Sequence, residues 1–112
     1  MTGKQSREYK KHLKHTKNPD AVFLMWDINN LPKQKIALCI RPSEGDVHVI
    51  DNFTNGVTAI LRNGFLLLTD ESEPDEPRYL IDTEDYHFHD IDSESISIIQ
   101  SNGDMVCLVV AG

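Results

Sequence analysis

From residue 35 onward the chain alternates apolar and polar positions in short runs, each closed by a turn cluster. Residues 35–41 place Ile36, Leu38 and Ile40 on one face of a strand. Residues 42–45, Pro-Ser-Glu-Gly, read as a turn, and residues 46–51 return. That register sets Arg41 opposite Asp46, Ile40 opposite Val47, Cys39 opposite His48 and Leu38 opposite Val49. Asn-Gly occurs three times, at Asn55-Gly56, Asn63-Gly64 and Asn102-Gly103. The dipeptide suits a type I′ turn, whose two central residues both need positive φ. Two hairpins follow, one joining residues 57–62 to 65–69 and one joining 95–100 to 105–110. In the second, this register puts Ile96 and Ile98 on the face of Cys107 and Val109, with Ser95 and Ser97 on the other.

Three further segments complete the pattern. Residues 21–28 are apolar on both faces and read as a central strand, and residues 78–82 as a short one. Residues 1–17 read as a short helix, with Thr2 and Gln5 forming a capping box and Asn18-Pro19 ending it. Its apolar face is thin, only Tyr9 and Leu13, and docking through those two is one way for it to be ordered. The expectation is a mainly β protein, a small antiparallel barrel or sandwich of about seven or eight strands in hairpin order. It has a basic helix or arm over residues 1–18 and a single β domain over 19–112. A length of 112 residues suits one domain.

Charge changes this picture more than composition does. Eleven of the eighteen acidic residues fall within residues 70–94, where Arg78 is the lone basic residue. Lys4, Arg7, Lys10, Lys11, Lys14 and Lys17 supply six of the eleven basic residues at the other end. The net charge of −7 disfavours nucleic acid or anionic lipid as a partner for the bulk of the surface. Nucleic acid is then an expectation for the arm alone, through Lys4, Arg7, Lys10, Lys11 and Lys14. Arm and acidic segment could also pair between copies in a homo-oligomer. No run reaches the eighteen or more apolar residues of a membrane span, and the start lacks the apolar stretch of a secretory signal. The chain therefore reads as cytoplasmic, with Cys39 and Cys107 as reduced, buried thiols.

Candidate chemistry is sparse. His87 and His89, two apart on a strand, followed by Glu94, are similar to half of the first cupin metal motif. The glycines flanking that motif and a later histidine are missing, so a metal-dependent cupin-like enzyme is a subordinate reading, and no cofactor is expected. Cys39 beside His48 lacks a third, orienting group. The acidic segment 70–94 lacks the spacing and the glycine of an EF-hand. It can also imitate the phosphate backbone of nucleic acid, as in uracil-DNA glycosylase inhibitors and phage anti-restriction proteins, though the resemblance extends only to fragments such as residues 67–72. The leading expectation is a non-enzymatic interaction protein, in the style of a small phage or mobile-element inhibitor, whose acidic face meets a basic protein surface. The residues expected to carry it are Glu71, Glu73, Asp75, Glu76, Asp82, Glu84, Asp85, Asp90 and Asp92, with Tyr86 and Phe88 as apolar anchors.

Overall fold

A computed structural model describes residues 2–111. The chain begins with helix α1 (Gly3–His12), a 3-10 turn (Leu13–His15) and helix α2 (Asp20–Asn29). Eight strands follow: β1 (Ile36–Arg41), β2 (His48–Phe53), β3 (Val57–Arg62), β4 (Phe65–Asp70), β5 (Pro77–Asp82), β6 (Tyr86–Asp92), β7 (Ser95–Gln100) and β8 (Met105–Val110). They form two open antiparallel sheets, one of order β2-β1-β8-β7-β6 and one of order β3-β4-β5. Every pairing joins sequence neighbours except β1–β8, which brings the two ends of the β region together. The protein is thus mainly β and antiparallel, as the alternation implies, but neither sheet closes into a barrel. Among the described residues no helix is long and apolar enough to cross a membrane.

Residues 21–28 are a helix, not a strand. Ala21, Val22, Leu24, Met25 and Ile28 are buried, and their spacing of one, three, four and seven is one face of a helix. A short apolar run carries no period of its own, so a buried helix and a buried strand look alike in it. Local chemistry decides for the helix. The Asn18 side chain accepts the Asp20 N–H at 3.1 Å, Pro19 presets the first turn, and Asp20 places a carboxylate there. The buried face of α2 joins the core with Ile36, Leu38, Phe53, Leu66, Leu68, Ile96, Ile98 and Leu108. Each such large side chain contributes roughly 1.5–3 kcal/mol by leaving water.

The capping box of α1 is present, with Gln5 N–H donated to Thr2 Oγ1 and Thr2 N–H donated to Gln5 Oε1. Tyr9 and Leu13 pack on the core, Tyr9 lying 5.5 Å from the Phe23 ring and 6.4 Å from that of Trp26. The linker to α2 is stitched to two turns of the β region. Gly64 N–H is donated to His15 O, Thr16 and Thr83 share a hydroxyl hydrogen bond of 2.9 Å, and Asn18 Nδ2 donates to Thr83 O.

Two expected registers are corrected. Leu38 faces Asp51, Cys39 faces Val49 and Ile40 faces His48, with a bulge in β2 between these pairs. The β1–β2 connection spans residues 42–47, longer than the four-residue turn. In the last hairpin Ile96 faces Leu108 and Ile98 faces Val106, while Ser97 faces Cys107 and Ser95 faces Val109. Only Gly103 of its Asn-Gly pair has positive φ, and Gly103 N–H bonds Gln100 O, so the loop has three residues instead of two. One added residue carries the partner strand to its other face. Asn63 and Gly64 both have positive φ, as a type I′ turn requires, and the β3–β4 register is the one that turn fixes. Asn55-Gly56 joins strands of different sheets, so it makes no hairpin.

Candidate functional site

The acidic segment, continuous in sequence, is divided in space by β5. Its first part, residues 70–76, loops from β4 to β5; its second is the turn Asp82–Asp85, closed by Asp85 N–H donated to Asp82 O, together with β6. A six-residue strand separates the two by about 20 Å.

The first part is largely committed to the fold. Asp70 is 1 % exposed, and its carboxylate accepts the N–H groups of Thr54 and Ser72, the Ser72 hydroxyl and the Asn55 amide. Burial pushes its pKa up, but the donated hydrogen bonds outweigh burial and hold it down at about 2. Arg78 lies within 3.9 Å of Asp70, 3.7 Å of Asp51 and 3.4 Å of Glu73, and donates to Asn52 O at 2.7 Å. Glu71 accepts the Thr58 hydroxyl and pairs with Lys33 at 3.1 Å; the hydroxyl first and the ammonium second lower its pKa. Asp75 and Glu76 remain exposed without a cation at bridging distance among the described residues.

The second part is different. Asp82, Glu84, Asp85, Asp90 and Asp92 have no cationic partner among the described residues. Glu84 lines a cleft of about 300 Å³ with Lys14, His15 and Lys17, and Asp85 accepts the Ser101 hydroxyl. Asp90 and Asp92 face Ser97 and Ser95 across the β6–β7 ladder and border a polar groove of about 410 Å³. β6 is an edge strand of the five-stranded sheet, so this row of carboxylates runs along an open margin. Phe88 stands beside it, 50 % exposed.

Tyr86 is no surface anchor. It is 7 % exposed, and its hydroxyl lies 2.5 Å from His89 Nδ1. His89 Nε2 lies 2.7 Å from Asp27 Oδ2 on α2. Tyr86, His89 and Asp27 thus make a hydrogen-bonded chain of three side chains that fastens α2 to β6. Burial first, and the carboxylates of Asp20 and Asp27 after it, push the Tyr86 phenol up to about 12.

The expected histidine pair is not brought together as ligands. A bulge falls between Tyr86 and Phe88 at His87, which is exposed and stacks edge-on against Phe88 at 5.3 Å. His89 points inward with both ring nitrogens in hydrogen bonds, and Glu94 sits in the β6–β7 turn. Among the described residues no three histidine, cysteine or acidic side chains are grouped to hold a metal ion. His48 stands opposite Ile40, so the expected cross-strand pair with Cys39 does not form either.

On α1 and the 3-10 turn after it, Lys4, Arg7, Lys11 and Lys14 recur at spacings of three and four. All are exposed, as are Lys10 and Lys17, and none reaches a carboxylate among the described residues. Neither Asp27 nor Asn29, the two polar side chains that fasten α2 to the sheets, stands out in the sequence as functional; their one signal is polarity inside an apolar run. Set against models of protein families, curated proteins and solved structures, the chain finds no match.

Proposed function

We propose that this is a non-enzymatic binding protein whose acidic margin, the turn Asp82–Asp85 and β6, meets a basic surface on a partner protein. One observation carries the reading: among the described residues Asp82 and Asp85, at the two ends of the β5–β6 turn, and Asp90 and Asp92, on the edge strand β6, have no cationic partner, whereas Asp70, Glu71 and Glu73 spend their charges on contacts within the fold. Unpaired like charges destabilise the compact state, so a cluster of them in one turn and the strand after it is a cost that a partner offsets. Phe88 supplies exposed apolar area beside the charges, because rim charges guide encounter and give register more than they supply affinity.

The test is capture by the immobilised protein from lysate, with the D82N/D90N/D92N variant alongside. Asparagine keeps the carbonyl that receives the Glu84 and Ser93 N–H groups, so the turns stay intact. Proteins retained by the parent and released by moderate salt are lost from the variant. Equal retention by both places the functional surface elsewhere.

A second reading rests on the exposed basic stripe of α1. Lysines and arginines with no carboxylate partner are the footprint of phosphate binding. It requires binding to duplex or single strands that weakens steeply with salt and disappears in K4Q/R7Q/K11Q.

A further inference from the structure

We propose that Cys39 and Cys107 form an oxidisable dithiol, a site where a low-molecular-weight disulfide such as oxidised glutathione is reduced and an intrachain disulfide forms. Both thiols are free, and they stand directly opposite each other on β1 and β8. They lie on the face of the five-stranded sheet turned away from the core, since their neighbours Leu38 and Leu108 are the buried ones. Ala111 N–H bonds Lys35 O at 2.8 Å, and the pairs at two-residue steps from there, including Cys39 with Cys107, share the hydrogen-bonded phase of the ladder. Opposed Cα atoms in that phase lie about 5.5 Å apart, inside the span a disulfide bridges. Their Cβ atoms, about 5 Å apart in such a pair, must close to about 3.8 Å, so the bridge is strained and readily reduced again. That combination suits a responsive pair better than a permanent staple.

The two thiols differ in a useful way. Cys107 is half-buried and its S–H is directed at Ser97 Oγ, 3.8 Å away; Cys39 is 8 % exposed. Burial first, and the neighbouring Cys107 after it, push the Cys39 thiol up. Cys107 therefore reacts first. Its thiolate attacks one sulfur of the small disulfide, expelling one thiolate and leaving a mixed disulfide on Cys107. Cys39 loses its proton, attacks the Cys107 sulfur and expels the second thiolate. Two protein thiols are oxidised by two electrons, one small disulfide is reduced to two thiols, and the protons lost from cysteine end on them. The second step is intramolecular, and this proximity offsets the low thiolate content of Cys39. The product clamps β1 to β8, the one strand pairing that is not between sequence neighbours.

The experiment treats the folded full chain with excess oxidised glutathione, quenches with acid and reads the intact mass. The parent should lose about 2 Da, with dithiothreitol reversing the change, and peptide mapping should join residues 39 and 107. Cys39→Ser should instead keep a stable adduct of about 305 Da on Cys107, and Cys107→Ser should react at least tenfold more slowly. A parent that holds the adduct without converting it, links to a second copy through either cysteine, or stays unmodified overturns the proposal.

Discussion

The side-chain amide of Asn29, on α2, is bonded to both backbone groups of Ala59, on the edge of β3: it accepts the N–H at 2.7 Å and donates to the C=O at 3.0 Å. The amide occupies the place of a neighbouring strand. Lys33 Nζ donates to Val57 O at 3.1 Å one step along the same edge. β3 is thereby closed to pairing with another chain, the hazard every free sheet edge carries. Asn29→Ala leaves two part-buried backbone groups without partners and should cost on the order of 1–3 kcal/mol, read as a lower urea midpoint. A second consequence separates this role from plain packing: the variant should aggregate faster through the exposed edge, measured by light scattering below the melting transition.

Asp70 should govern stability in acid. Its folded pKa, about 2, lies below the ordinary 3.8, so its contribution is fully present above about pH 4 and is lost as pH falls through 2. Asp70→Asn keeps the shape but weakens four accepted hydrogen bonds, and should cost on the order of 1–3 kcal/mol at pH 7. The difference between parent and variant should shrink steadily from pH 4 to pH 2. Urea titrations over that range check it; a constant difference would mean the carboxylate charge is not what organises the loop.

The turns offer a backbone test. Gly103 has φ of +89°, where a β-branched residue is strained, and its Cβ would stand 3.4 Å from the Ser43 side chain. Gly103→Val should destabilise by about 1–3 kcal/mol. Gly103→Asn, which tolerates positive φ better, should cost less than Val in the same thermal melt.

Much of this architecture is legible in the alternation of residues 35–110, because a strand with one face in the core writes its period into the sequence. The Thr2–Gln5 box and the Asn63-Gly64 turn are legible for a similar reason: each is a local interaction between near neighbours. Three features are not. Residues 21–28 bury five of eight side chains, and a run that apolar does not distinguish periods of two and 3.6. The face of Cys107 depends on whether the loop before β8 holds two residues or three, which Asn-Gly alone does not decide. The acidic segment is one block in sequence and two clusters in space, because Asp70, Glu71 and Glu73 find partners in Thr54, Lys33 and Arg78 that lie far away along the chain or across a turn. The expected anchor Tyr86 turned inward for the same kind of reason, a long-range bond to His89 and through it to Asp27.

The docking of α1 tests whether the basic stripe is held on the body of the protein. Tyr9→Ala removes the ring that packs on both Phe23 and Trp26 and should cost roughly 1–2 kcal/mol. Amide exchange across residues 3–12 should accelerate while that of β7 and β8 stays slow. Uniform acceleration across the chain would show that α1 unfolds only with the whole.

The central claim is that the unpaired carboxylates of β6 and the preceding turn steer a basic partner. It is tested most directly by the association rate of a captured partner, followed against ionic strength, for the parent and for D82N/D90N/D92N. Electrostatic steering acts over a Debye length of about 8 Å at physiological salt and shows itself in the association rate more than in dissociation. The parent rate should fall about tenfold or more between low and high salt, the variant should start slower and respond weakly, and the two should converge at high salt, with the variant's melting temperature equal to the parent's or slightly higher. Coincident rates at every ionic strength would contradict the account and leave the acidic margin as solvated surface.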